Sequence, residues 1–224
     1  MGVGVPVDAH PAKAPSPSPV DGRAVYLEKL EPRHADDLWE ALGPQEYSGI
    51  WDYIPDGPFP HKESFVLFIE HISRSADPYL YCLIDKARGK AVGFFSLMRI
   101  DQKNRVIEIG YVVFSPLLQR TTAATEAVYL LAKKIFEELD YRRFEWKCNN
   151  LNEASKRAAL RYGFTFEGVF RQHMIVKGHN RDTAWFSILD SEWPAVRGAF
   201  EKWLDPKNFD ADGKQIQSLA SLRG

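Results

Sequence analysis

The stretch GYVVFSPLLQRTTAATEAVYLL, Gly110 to Leu131, constrains the fold more than any other part of the chain. Its first half completes an apolar run, VIEIGYVVF (106–114), with the length and β-branched content of a buried strand. Ser115-Pro116 stops that strand. Past a short loop, Ala124, Val128, Leu131, Ile135 and Leu139 step by three or four, the pattern of an amphipathic helix. The start of that helix carries short side chains: Thr121, Thr122, Ala123, Ala124 and Thr125. A helix N-terminus holds unpaired N–H groups and about half a positive charge, and short side chains leave both open to an anion. Ordinary capping accounts for the same residues, because threonine caps helices and alanine builds them. Local chemistry leaves both readings open.

The flanking chain alternates in the same way. RAVYLEKL (23–30) reads as a strand and PRHADDLWEAL (32–42) as a helix opened by Pro32. An irregular aromatic stretch, YSGIWDYIPDGPFP, precedes a helix KESFVLFIEHISRS with Phe65, Phe68, Ile69 and Ile72 at helical spacing. YLYCLID (79–85), AVGFFSLMRI (91–100) and VIEIGYVVF then follow as strands, with turns at Arg88-Gly89 and at 101–104. That is an antiparallel meander. Beyond the long helix come a strand RRFEWKC (142–148) and a helix NEASKRAALRY (152–162), with Asn152 as N-cap and Gly163 just past its end. A hairpin turning around 177–180 and a last helix, SEWPAVRGAFEKWL, complete the pattern. The order predicts an α/β (α+β) domain with one mixed, mostly antiparallel central sheet flanked by helices.

Composition sets limits on partners. A chain of 224 residues, 45% hydrophobic, suits one domain with tails. We expect residues 1–22, rich in Pro, Ala, Gly and Ser, to be a disordered tail, 23–204 to be the domain, and 205–224 to be loosely ordered. Met1-Gly2 does not begin a myristoylation signal, since Pro6 stands where Ser or Thr is needed. Twenty-nine Lys and Arg against 30 Asp and Glu give no basic field for nucleic acid, and no apolar stretch is long enough to span a membrane. Two cysteines, Cys82 and Cys148, in apolar settings point to a reducing, cytoplasmic setting. The six histidines lack metal-ligand spacing and no CxxC accompanies them, so no metal is expected. No GxGxxG follows a strand, which removes a dinucleotide site.

Three short segments carry a resemblance. QRTTAATEA is similar to the acyl-CoA pyrophosphate loop of the GNAT superfamily of N-acetyltransferases, Gln/Arg-x-x-Gly-x-Gly/Ala, with Gln119 at the first position and Ala124 at the last. Thr122 stands where the family usually has glycine. NEASKRAALRYGF resembles the Asn-x-x-Ser and Gly-Phe signature of the Rim-type branch, which acetylates ribosomal-protein N-termini, through Asn152, Ser155, Gly163 and Phe164. EIGYVVFSP is similar to the strand before the loop in that branch, and the likeness runs from Arg23 to Leu204.

The resemblance implies a GNAT-like sheet splayed at an acyl-CoA site, and acetyl-CoA as acyl donor without a metal. It implies that backbone groups of Val112 and Phe114 pair with the pantetheine arm, and that Gln119, Arg120, Thr121, Thr122, Ala123, Ala124 and Thr125, with Asn152 and Ser155, hold the cofactor. Many members protonate the leaving thiolate with a tyrosine four residues before the Gly-Phe pair; that position is Ala159 here, so Ser155 is the candidate acid and Tyr162 is expected to pack. The implied reaction passes an acetyl group directly to a primary amine, on a peptide N-terminus or a small molecule, in a ternary complex. A degenerate member that binds acyl-CoA or a protein partner without turnover is the other reading, and a monomer and a homodimer are both open.

The acceptor needs a base, because only a neutral amine attacks the thioester. Glu108 sits in the middle of an apolar strand, where alternation puts it with Gly110 and Val112, facing the cleft. Burial there raises a carboxyl's pKa and suits it to take a proton through water; a solvent-facing glutamate is the plainer alternative. For the acceptor, Trp51, Tyr53 and Phe59 either wall a pocket or pack their loop, and Asp52 or Asp56 is placed to attract a cationic amine. Of Trp185 and Phe186 only one faces the cleft; Trp185 is the candidate.

Overall fold

The computed structural model describes residue 2 and residues 4–223; Met1, Val3 and Gly224, which belong to the two expected tails, lie outside the described residues. One eight-stranded sheet organises the chain. In chain order its strands are β1 (Val20–Asp21), β2 (Val25–Lys29), β3 (Tyr79–Asp85), β4 (Lys90–Asp101), β5 (Val106–Phe114), β6 (Arg143–Asn149), β7 (Thr165–Val176) and β8 (His179–Leu189), and their order in space is β1-β2-β3-β4-β5-β6-β8-β7. Every neighbouring pair is antiparallel except β5 and β6. Those two need a crossover, which α3 (Thr122–Lys133) and the π-turn Lys134–Glu138 provide.

Helices cover the two faces unequally. On one face α3, α4 (Glu153–Tyr162) and α5 (Trp193–Leu204) bury the main core, including Leu27, Phe95, Ile109, Trp146, Phe186 and Phe200. On the other, α1 (Ala35–Leu42), α2 (Lys62–Ser73) and the 3-10 turn Gln45–Trp51 pack on β3 and β4 around Trp51, Phe65, Phe68, Leu80 and Phe94. This second cluster takes in no residue of β6, β7 or β8. Alternation along β6 puts Arg143, Glu145 and Lys147 on that uncapped side, while Phe144, Trp146 and Cys148 enter the main core.

Glu126 ties the crossover helix to the sheet edge. Its buried carboxylate accepts the backbone N–H of Arg23 (2.8 Å), Ala24 (2.7 Å) and Val25 (3.1 Å), which clamps the start of β2.

Both tails are attached. Near the N-terminus Ala12 is buried and exchanges two hydrogen bonds with Gln102, both 2.9 Å, and Lys13 N–H reaches the Leu139 carbonyl at 2.9 Å. The C-terminal segment, expected to be loosely ordered, packs on the domain. Leu219 is buried, Trp203 Nε1 donates to Gln215 Oε1 (2.7 Å), and Arg223 Nη2 donates to the Leu160 carbonyl at the end of α4 (2.9 Å). Apolar anchors spaced through polar sequence account for the attachment, a pattern too sparse for periodicity to reveal.

Candidate active site

The strand pair that opens the cleft is β5 and β6. They are paired from Val106↔Arg143 to Ile109↔Trp146 and no further, so Gly110–Phe114 has no strand on its β6 side. A bulge opposite Phe95, between the Ser96↔Gly110 and Phe94↔Val113 pairs, redirects β5 at that point. Tyr111 there takes a left-handed conformation, φ +47°. Gly110 permits the bend, since a Cβ on it would lie 2.1 Å from Met98 Sδ. The bulge also breaks simple alternation. Glu108 and Gly110 look toward the uncapped face, whereas Val112 and Phe114 turn to pack against the main core. The expectation that Val112 shares a face with Glu108 is therefore corrected.

A cleft of about 890 Å³ fills the splay. Its cofactor-loop wall is the start of α3. Thr121 is the N-cap: its hydroxyl accepts the Ala124 N–H at 3.1 Å and donates to the Leu118 carbonyl at 2.7 Å. Thr121 is thus spent on capping, as the plainer reading held. No hydrogen bond to the described residues takes up the N–H of Arg120, Thr122 or Ala123, and Arg120 is left-handed at φ +62°. These donors, Gln119, Ala124 and Thr125 surround one end of the cleft, except that Ala123 turns its methyl into the core and is absent from the lining. Gln119 folds back, its Nε2 donating to the Phe114 carbonyl at 2.8 Å. The backbone of Thr122 stays in the right-handed region, so its position does not demand glycine's conformation. Arg161, whose Nη1 donates to Thr125 Oγ1 (3.0 Å), brings a cation to the same wall.

Opposite stands the start of α4. Asn152 Oδ1 caps the Ser155 N–H at 3.0 Å, and Gly163 ends the helix at φ +98°, both where the sequence puts them. Ser155 Oγ accepts the indole N–H of Trp146 at 2.9 Å. An indole only donates, so this contact fixes the hydroxyl and leaves its own hydrogen to give. Tyr162 packs between Trp146 and Phe200, with ring centroids 6.0 and 6.2 Å away.

Glu108 lies on the floor of the cleft and is buried. Lys147 Nζ stands 2.9 Å and Arg99 Nε 3.1 Å from its Oε2, both as ion pairs that miss hydrogen-bond angles. Lys147 also pairs with Glu145 (2.7 Å) and lies 3.8 Å from the centre of the Trp185 ring. Burial pushes the Glu108 carboxyl above its usual range, and the charge of Lys147, then Arg99, pulls the other way. Lys147, Arg99, Arg181, His173 and Thr183 are site residues that the sequence reading missed. Of these only Lys147 had a signal in β6, where Glu145 and Lys147 alternate with apolar neighbours.

The expected acceptor wall is only partly assembled. Tyr53 lines the cleft, and its hydroxyl donates across it to the Leu151 carbonyl at 3.2 Å. Trp51 and Phe59 do not line it; they form an edge-to-face pair, centroids 5.2 Å apart, in the core beneath α1 and α2. Rings between two helices and a strand gain more from burial than from a solvent-filled groove. Trp185 lies behind Lys147 rather than in the cleft, packed against Phe170 with ring centroids 4.5 Å apart and the planes tilted by 37°. Asp56 accepts the Tyr111 hydroxyl, and neither Asp52 nor Asp56 lines the cleft.

A splayed parallel pair, a bulge and a bare helix start set the geometry of this cleft. The Acetyltransferase (GNAT) domain model matches residues 24–165. The chain belongs to the GNAT acetyltransferase family and is an acyltransferase. A solved GCN5-related N-acetyltransferase from Brucella melitensis is 46% identical, covers 96% of this chain and 97% of its own, and superposes with a TM-score of 0.94. A Bacillus subtilis (strain 168) protein, YdaF, whose name proposes a ribosomal N-acetyltransferase, is 28% identical over 75% of this chain and 93% of its own length. The ribosomal-protein-serine acetyltransferase of Escherichia coli (strain K12) is 30% identical over 45% of this chain and 56% of its own length, which places relatives of the Rim-type branch beside this one.

Proposed function

We propose that this protein is an acetyl-CoA-dependent N-acetyltransferase that passes the acetyl group directly to a primary amine, a peptide N-terminus or a small molecule, held with the donor in one complex. The observation that carries the reading is the cleft itself: unpaired N–H groups at Arg120 and Thr122, with Arg161 beside them, open at one end of the β5–β6 splay. These donors suit a pyrophosphate. The unpaired β6-side edge of Gly110–Phe114 suits an extended amide arm lying along it like a further strand. A backbone N–H of that edge polarises the thioester carbonyl, and Glu108 takes the ammonium proton through water. Ser155 supports the departing thiolate with its hydroxyl hydrogen. Relatives named for ribosomal N-acetylation support a peptide N-terminus as the acceptor.

Calorimetric titration with acetyl-CoA tests the donor half. We expect micromolar binding that falls at least tenfold in Thr122→Trp, whose ring covers the helix start while leaving the core untouched. Absence of binding in the unaltered protein overturns the reading.

A further inference from the structure

The acceptor end of the cleft carries the wrong charge for a cationic substrate. Six cations line the whole cleft (Arg99, Arg120, Lys147, Arg157, Arg161 and Arg181) against one carboxylate, Glu108. Arg120, Arg157 and Arg161 belong to the walls of α3 and α4. Arg99, Lys147 and Arg181 belong to the floor formed by β4, β6 and β8. On that floor nearly every charge is matched. Arg99 and Lys147 share Glu108, Lys147 also holds Glu145, and Arg143 holds Glu145 and Glu167. Arg181 is the exception, with no carboxylate within 4.0 Å among the described residues. Its sequence neighbour Asp182 accepts instead from Gln172 N–H and Asn180 Nδ2.

Arg181 is also held in place. Its Nε donates to Thr183 Oγ1 (3.2 Å), and the same hydroxyl meets His173 Nδ1 (2.9 Å). Thr183 is fully buried and Arg181 half-buried. One face of the guanidinium fork is spent, and both Nη groups remain as donors. Burial makes this charge costlier than that of a surface arginine; Cys148 and the more distant Glu108 carboxylate offset part of that cost, and Arg99 adds to it. A fixed, half-buried guanidinium with no carboxylate in salt-bridge contact, lining a cleft, has room for a counter-ion on its Nη groups.

Resting on the acetyltransferase reading, we propose that the acceptor carries a carboxylate close to the amine it offers, and that Arg181 receives this carboxylate through its Nη groups. The fork matches a carboxylate in two parallel hydrogen bonds. The cationic floor serves the chemistry too, because it disfavours the ammonium form and so favours the neutral amine that attacks. It repels polyamines and other multiply charged cations. A carboxylate in this place comes either from an acidic side chain in the first residues of a peptide or from the α-carboxylate of a free amino acid.

The test uses C-terminally amidated peptides, Ala-Asp-, Ala-Ala- and Ala-Lys-, with free alanine and alaninamide as the second arm. Thiol release from acetyl-CoA is read for the unaltered protein, Arg181→Gln, Arg181→Lys and Arg181→Glu. A preference of about tenfold or more in kcat/KM for Ala-Asp- over Ala-Ala- is expected, the worth of one charge-assisted pair. The same ratio for alanine over alaninamide points to the free amino acid instead. Either ratio collapses toward one in Arg181→Gln, persists in part in Arg181→Lys, and inverts toward Ala-Lys- in Arg181→Glu. Equal rates for all peptides together with equal rates for alanine and alaninamide, preference for Ala-Lys-, or a ratio that survives Arg181→Gln overturns the proposal while leaving acetyl transfer intact. Should no acceptor turn over, fluorescence anisotropy of the same peptides, labelled at the C-terminus, on CoA-loaded protein still decides. Arg181-dependent binding of the acidic peptide supports the site, and binding without regard to charge refutes it.

Discussion

Removal of Lys147 separates a structural salt bridge from a working electrostatic site. Its ammonium sits between two buried carboxylates, 2.9 Å from Glu108 and 2.7 Å from Glu145, and is itself buried. Lys147→Met keeps the stem volume and removes the charge. Breaking one partner out of a buried pair costs about 3–5 kcal/mol, and we take the lower end because Arg99 and Arg143 still face the two carboxylates. With an unfolding entropy of about 2.1 cal/mol/K per residue, 224 residues convert about 3 kcal/mol into a Tm lowered by roughly 6 °C. The pH dependence is more specific. Lys147 opposes the burial that raises Glu108, so its loss raises that carboxyl further above 4.5. A carboxyl whose folded pKa is raised costs stability once it must ionise. The pH-dependent part of the deficit is therefore largest above the folded pKa of Glu108 in the variant, shrinks as pH falls through that pKa, and is gone below 4.5. Calorimetry at several pH values measures this, and the acid limb of the kcat/KM profile should move to higher pH in step. A Tm deficit that does not change with pH refutes the charge argument. An unmoved acid limb refutes Glu108 as the base.

Two further outcomes follow from polar anchors outside the cleft. Glu126→Gln weakens three charge-assisted hydrogen bonds to Arg23, Ala24 and Val25, and about 1.5–3 kcal/mol of stability should be lost, seen as a lower denaturant midpoint with unchanged slope. His10, between Asp140 and Asp8, is held protonated above 6.5, chiefly by Asp140. Its contribution to seating the N-terminal segment is full below 6.5 and is lost as pH rises through its folded pKa, and an NMR titration should show that pKa falling back in Asp140→Asn.

The sheet was legible because its strands are long apolar runs broken by plain turns: the bounds expected for 79–85 and 106–114 are those of β3 and β5. So were the caps at Asn152 and Gly163, where one residue's chemistry decides the conformation. Strand-level detail was harder. Tyr111 is neither glycine nor asparagine, yet it adopts a left-handed conformation because the Tyr111 hydroxyl is held by Asp56 and Met98 fills the space over Gly110. Packing imposes that bulge, so no local pattern announces it, and it reverses where Val112 points. The aromatic loop failed for the opposite reason. Trp51 and Phe59 look alike whether they wall a groove or fill a core, and only the uneven cover of α1 and α2 decides between the two.

That uneven cover gives the molecule its asymmetry. Helices α1 and α2 shield one half of the face and leave β6 and β8 to present charge. A bare sheet face normally invites pairing or aggregation, and here Glu145, Lys147 and Arg181 make it polar without a helix. The same side chains stand at the foot of the splay. Once the strands part at Ile109, the face that must stay polar for solubility becomes the floor of the cleft. The loop above it is tied across by Tyr53 to Leu151 and by Lys177 to the Trp51 carbonyl, so in the proposed reaction the floor's charge and the loop's reach would select the acceptor together.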